Sequence, residues 1–515
     1  MRVFRQTLSL AENLGEADAS DTFATSFFGR YLRFTPLLWM LGALIPYAAV
    51  MLIKLAIEKW PKGRLINLVV LSWLSIAIAQ ASCSILNGLI LHNFGMGLRN
   101  AFSFTAIGWA FGALAIAVGN SWSLSNRRTA HYIANLGGYI ILLSIIALAG
   151  ALAGRTELRM LTPIGMLLPS GNATNFYASM TIFQSEDTLG ESRIRLILFF
   201  PWATALGLGG LAIALISSEA EQGWRRVFGM TGGAIGVVFS WSRIAVAAMV
   251  LVAAILIFIK LPRYLQILGT VTVSVAIYGL SIVGLDPITL LTDMHDAADQ
   301  ARAGSSLARD LIYEKSWEGF LQSPIIGNGW IGESVHRTEN LPIGSHSTVF
   351  GLFYTGGIIT FACFAIAMLV TIFALLYAVY RWRNDKPRQQ SAIIGCCLWL
   401  SLLLYCPYES LFSLTLPCLY LFTWIGGVIP GDPEEEAQAA APRRGRAIFI
   451  RPDSPAGDGG AVGEPLRADG VNVAAGVKSS VFTVGQRRQG DRYDIADNGW
   501  SENGWHAGRA FRADP

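Results

Sequence analysis

The stretch FSWSRIAVAAMVLVAAILIFIK, residues 239–260, sets one arginine, Arg243, at the mouth of an apolar run long enough to cross a bilayer. A hydrocarbon core about 30 Å thick needs about 20 apolar residues per helical span. Eleven such runs recur, near 34–57, 65–91, 101–119, 130–153, 194–217, 227–241, 243–260, 264–285, 347–380, 389–405 and 410–429. The run at 227–241 is short and rich in glycine. Hydrophobic residues make up 53% of the 515-residue chain and charged residues 14%, roughly half the charge of an average soluble domain. The mean hydropathy of +0.46 agrees. The fold expected is all-α, a polytopic transmembrane helical bundle of about 11–12 spans with a large extracytoplasmic loop.

Other classes fall away. Residues 1–33 carry Glu12, Glu16, Asp18 and Asp21 and lack an apolar core, so no cleavable signal peptide is expected. The six cysteines lie in or at the edge of apolar runs, where a thiol packs as a small apolar group. No CxxC or HExxH spacing occurs, so neither a metal site nor a cofactor is expected. A net charge of +4 spread over this length gives no nucleic-acid signature.

Lysine and arginine set the orientation. The short loops at 58–64, 120–129, 218–226, 260–264 and 381–390 are basic and alternate correctly, which reads as cytoplasmic. The long loops at 154–193 and 286–346 then face outward. Counting back places the amino terminus outside, whereas Arg2, Arg5, Arg30 and Arg33 favour the cytoplasm, so a further span near the start is an open alternative. Three regions follow: an N-terminal segment at 1–33, a transmembrane domain at 34–429, and a Gly-, Pro- and Ala-rich cytoplasmic tail at 430–515 that is expected to be disordered.

An outward loop of this length usually serves binding or chemistry. It contains SSLARDLIYEKSWEGFLQSPIIGNGWIGESVHRTENLPIGSHSTVF, residues 305–350. Ser305 or Ser306 caps an amphipathic helix with Tyr313, Trp317, Phe320 and Leu321 on one face, and Ser323-Pro324 ends it. Gly327, Gly329 and Gly332 make a tight turn, and His346 arrives at the mouth of the next span. Such a helix lies along a membrane surface and can hold a lipid-linked substrate beside a cleft.

The segment Arg309–Phe361, with PIIGNGW and then SHSTVFGLFYTGGII, resembles the O-antigen ligase and O-antigen polymerase family of bacterial membrane glycosyltransferases. Arg309, Trp317, Pro324, Gly327, Gly329, His346 and Gly356 fit the family's places. SWSR at 240–243 resembles its Ser-Arg motif, and ESRIRLILFFPWATALG at 191–207 its arginine ahead of a Pro-containing helix start, with Trp202 where the family usually has Asn. The resemblance covers roughly residues 190–425 and rests on order, spacing and common sidedness.

The resemblance implies a GT-C-like bundle in the bacterial inner membrane. It implies inverting transfer of a glycan from a polyprenyl diphosphate carrier to a sugar hydroxyl of an acceptor glycan or glycolipid, on the outer face and without metal. Arg243, with Arg193 or Arg195, would clamp the diphosphate; planar guanidinium groups meet phosphate oxygens in paired, charge-assisted hydrogen bonds. His346 would take the proton of the attacking hydroxyl. Arg309 would orient acceptor or diphosphate. Polymerase and ligase differ only in the acceptor, and the reading leans to a polymerase of surface polysaccharide, with export or chain-length proteins as possible partners.

Plainer readings compete. Arg243, Arg193 and Arg195 could anchor helices at the headgroups, His346 could be a solvated loop histidine, and Arg309 a structural loop charge. A transporter or flippase of lipid-linked sugars would also be polytopic, although such proteins place charge near the midplane and carry inverted repeats, and neither is visible.

Overall fold

The computed structural model describes residues 19–59, 67–103, 108–168, 177–188, 191–282, 289, 303–334 and 342–430. The expected tail at 430–515 lies, apart from its first residue, outside the described residues, as does most of the N-terminal segment before residue 19. Sixteen α-helices carry the described chain: α1 Ala19–Arg33, α2 Thr35–Leu41, α3 Leu44–Lys59, α4 Leu68–Ile90, α5 Phe94–Phe102, α6 Ala110–Ser121, α7 Arg127–Leu152, α8 Pro163–Leu167, α9 Ala203–Ser217, α10 Trp224–Phe239, α11 Arg243–Lys260, α12 Arg263–Ile282, α13 Ala303–Gln322, α14 Thr348–Arg381, α15 Lys386–Tyr405 and α16 Thr415–Val428. Three strands, β1 Glu157–Leu161, β2 Ser179–Thr188 and β3 Glu191–Leu198, form an antiparallel sheet in the order β1-β2-β3. The protein is an all-α polytopic membrane protein with this small sheet added.

Five helices, α4, α7, α11, α12 and α14, are long and apolar enough to cross a membrane. The shorter α9 is apolar all round and almost wholly buried, which places it at the centre of the bundle. By contrast α12 has no buried residue and is the most peripheral helix among those described. The glycine-rich run at 227–241 becomes α10, and its glycines explain its length and composition. A Cβ at Gly232 would collide with the Gly137 carbonyl of α7, so α10 and α7 approach backbone to backbone.

The apolar run at 34–57 is not one span. Gly42 takes a left-handed φ of 78° and reverses the chain between α2 and α3. The Tyr31 and Tyr47 rings then stack at 6.0 Å, and the Lys54 ammonium lies 5.0 Å from the Phe27 ring centroid. The pair α1–α2 therefore runs antiparallel to α3, starting at the end where Lys59 lies. The run at 194–217 also departs from expectation. Its first part is β3, paired to β2 from Thr188↔Glu191 through Thr181↔Leu198, and the helix begins only at Ala203.

The helix ends segregate. At one end, the Trp122 indole donates to Leu55 O at 3.1 Å, Lys59 lies 4.2 Å from the Trp122 ring, and Asn120 donates to Ile429 O at 2.8 Å. Ser391 donates to Glu219 there at 3.3 Å, and Arg226, Arg127 and Lys260 lie within electrostatic reach of Glu219. This is the end of the basic loops. The sheet, α13 and the candidate site residues occupy the other.

The N-terminal third of α14 is broken at Gly357, whose φ of 63° and ψ of −164° are not helical. A break of that kind strands backbone amides and carbonyls. The PIIGNG turn fills it: Ile358 N donates to Pro324 O at 2.9 Å, Asn328 N to Tyr354 O at 2.7 Å and Gly329 N to Thr355 O at 2.9 Å. A Cβ at Gly327 would sit 2.6 Å from the Gly356 and Gly357 nitrogens. The glycine turn is thus a plug in a kinked helix.

Candidate functional site

Two hydrogen bonds lace β3 to the turn between α10 and α11. The Trp241 indole donates to Ile194 O at 3.1 Å, and Arg195 Nε donates to Ser240 O at 3.2 Å. Trp241 takes φ 51°, and Ser242 then caps α11 by accepting from Ala245 N at 3.3 Å. Arg243 is consequently the first residue of α11, exposed, at the same end as Arg195. A cation at a helix N-terminus opposes the macrodipole, and it is compensated when an anion is to be held there.

The second half of the site hangs on Glu409, in the turn between α15 and the 3₁₀ segment Leu411–Leu414. Its residue is 4% exposed. Arg309 on α13 places Nη2 3.7 Å from Oε1, and the Trp202 indole donates to Oε2 at 3.3 Å. Thr204 also hydrogen-bonds the carboxylate, and Arg195 lies within electrostatic reach. Burial pushes the carboxyl upward, and Arg309, Thr204, Trp202 and Arg195 oppose it.

The same turn is tied to the start of α14. Thr348 donates to Glu409 O at 2.6 Å and accepts from Leu411 N at 2.9 Å, while Thr348 N donates to Cys406 O at 2.8 Å. Two residues before Thr348, His346 sits half-buried with a left-handed φ of 59°, its carbonyl accepting from the Tyr313 hydroxyl at 3.2 Å. Tyr313 stacks on Phe350 with ring centroids 4.8 Å apart. Burial pulls His346 down to about 4, with the Arg309 charge acting in the same direction. Its imidazole is therefore neutral near pH 7 and able to receive a proton. An arriving anion would offset the Arg309 charge and make it a stronger base.

Two of the sequence candidates, Arg195 and Arg309, thus lie within reach of Glu409, Arg309 is also within electrostatic reach of His346, and Arg243 begins α11 three residues after Ser240, whose carbonyl accepts from Arg195. Arg193 pairs through its backbone with Glu186 in the sheet, and its side chain lies outside the described residues. Two members were missed in the sequence reading. Trp202 supplies an N–H at the place where the family usually has an amide. Glu409 is the sole charged residue between Arg388 and Asp432, a signal that hydropathy averaging hides. Among the described residues no group of three His, Cys, Asp or Glu side chains is placed to hold a metal ion.

Residues 228–365 match the family model described as O-antigen ligase. That match supports an O-antigen ligase/polymerase-like family. Comparison with curated proteins gives no match. The O-antigen ligase match takes in Arg243, Arg309 and His346 and leaves Arg195, Trp202 and Glu409 outside its bounds. In general terms, it supports an O-antigen ligase or polymerase type of activity in a multi-pass membrane protein.

Proposed function

We propose that the protein transfers a glycan from a polyprenyl diphosphate carrier to a sugar hydroxyl at the outer face of the bacterial inner membrane. What supports this reading is that Arg309 lies within reach of both the buried Glu409 carboxylate and His346, with Arg195 within electrostatic reach of the same carboxylate, at the end of the bundle opposite the basic loops. Basic loops favour the cytoplasmic side, so the site faces outward.

In the reaction, the acceptor oxygen attacks the anomeric carbon and the bond from that carbon to the diphosphate oxygen breaks. His346 takes the hydroxyl proton. The electron pair leaves with the diphosphate, whose growing charge Arg243 and Arg195 stabilise, and direct displacement inverts the anomeric centre. Arg309, beside His346, orients the reacting groups. Metal is not required, because guanidinium groups supply the positive charge.

Joining of repeat units into a surface polysaccharide is the reading preferred, with export or chain-length proteins as partners. Transfer to a glycolipid acceptor is the second reading, favoured by the description of the matching family. Purified protein in proteoliposomes, given a prenyl diphosphate-linked glycan and either a second carrier-linked glycan or a glycolipid, separates the two. Failure with both acceptors would overturn the proposal.

A further inference from the structure

Glu409 has no part in the reaction as described, yet four elements converge on it. α13 reaches it through Arg309, the start of α9 through Trp202 and Thr204, and the start of α14 through Thr348. The end of α15 reaches it through Tyr405 O, which accepts from Glu409 N at 2.9 Å. A turn that only had to close would be served as well by an apolar side chain, since burying a carboxylate is costly unless charge and hydrogen bonds compensate. Here the compensation is directional. Trp202 and Thr204 hold the carboxylate, and the carboxylate faces Arg309.

The 3.7 Å separation is an ion pair without a hydrogen bond. Charge draws the guanidinium toward Oε1 without spending an N–H of its fork on that oxygen, and the same arginine acts on His346. We infer that Glu409 is the positioning residue for Arg309, aiming its guanidinium at the space beside His346 so that transfer uses an arginine already oriented. The inference rests on the glycan-transfer reading above. Its motif-level signature is a lone acid in the loop between the last two apolar runs, outside the matched O-antigen ligase segment.

The test is a double-mutant cycle on transfer by full-length protein in proteoliposomes, with a prenyl diphosphate-linked glycan as donor. Glu409→Gln keeps an acceptor for Trp202 and Thr204 and removes the charge. It should lower kcat about 100-fold, the scale of a misplaced catalytic group, with donor KM changed little. In an Arg309→Ala background the same substitution should cost nothing further. Trp202→Phe, which leaves the charge and removes one of its supports, should show a smaller loss that also vanishes in that background. It answers the question even if Glu409→Gln does not fold. Wild-type kcat in Glu409→Gln, a rise in KM alone, or losses that multiply with Arg309→Ala would each assign Glu409 to packing and overturn the inference. Absence of transfer by the unaltered protein would instead remove the functional reading and the inference together.

Discussion

Arg309 and Glu409, far apart in sequence, stand 3.7 Å from each other at the end of the bundle opposite the basic loops, and the carboxylate also accepts from Trp202. That relationship draws α9, α13, α14 and α15 to one point. It turns several charges scattered through the sequence into one site.

His346→Ala should reduce glycan transfer by about 10²–10⁴-fold, the usual contribution of a positioned base, while membrane insertion and abundance stay unchanged. Rates measured at matched protein levels check this. A loss below threefold would remove His346 from proton transfer.

The pH profile carries a sign. His346 lies near 4, pulled down by burial and then by Arg309, so the free enzyme loses its base only as pH falls through that value. kcat/KM should therefore be flat from pH 8 to about 6 and decline below about 5. Arg309→Met removes a cation that disfavours the imidazolium, so the acidic limb should move to higher pH in that variant. Movement to lower pH, or an acidic limb near 6.5 in the unaltered protein, contradicts the assignment.

The plug in α14 makes a stability prediction. Gly327→Ala must take φ 62° and press a methyl against the Gly356 and Gly357 nitrogens, so it should destabilise by about 1–3 kcal/mol. Gly138 on α7 has open space around the same position, and Gly138→Ala should be neutral or stabilising by up to about 1 kcal/mol. Thermal unfolding in detergent compares them. Equal melting temperatures for the two variants would show that the turn does not support the kink.

How much of this was legible in sequence depends on which physical signal each element carries. Long apolar runs such as 243–260 and 347–380 announce their helices by hydropathy alone, and the structure puts α11 and α14 there. The strand β3 overlaps an apolar run too, but Arg193 and Arg195 alternate with Ile194 and Leu196 at a period of two, a pattern that hydropathy averaging erases. The α1 helix was hidden for the opposite reason. It carries Asp21, Arg30 and Arg33, and only its buried stripe of Ala24, Phe28, Tyr31 and Leu32 betrays it. Of the candidate residues, Arg309, His346 and the alternatives Arg193 and Arg195 were singled out through motif order. Glu409 was not, because its partners come from remote segments that only the fold assembles.

Chelation should leave the reaction intact. In the proposed reaction guanidinium groups carry the positive charge, and transfer measured in excess EDTA should match the untreated rate. Loss of activity that a divalent cation restores would contradict this.

The most direct measurement follows release of polyprenyl diphosphate together with glycan transfer in proteoliposomes, for the unaltered protein, Arg243→Lys and Arg243→Ala. Release and transfer should be stoichiometric in the unaltered protein, weakened in Arg243→Lys, which keeps the charge but lacks the fork, and abolished in Arg243→Ala. Arg243→Ala working at the unaltered rate, or transfer that proceeds without release of the diphosphate carrier, would contradict the claim that arginines at the outer face grip the leaving group.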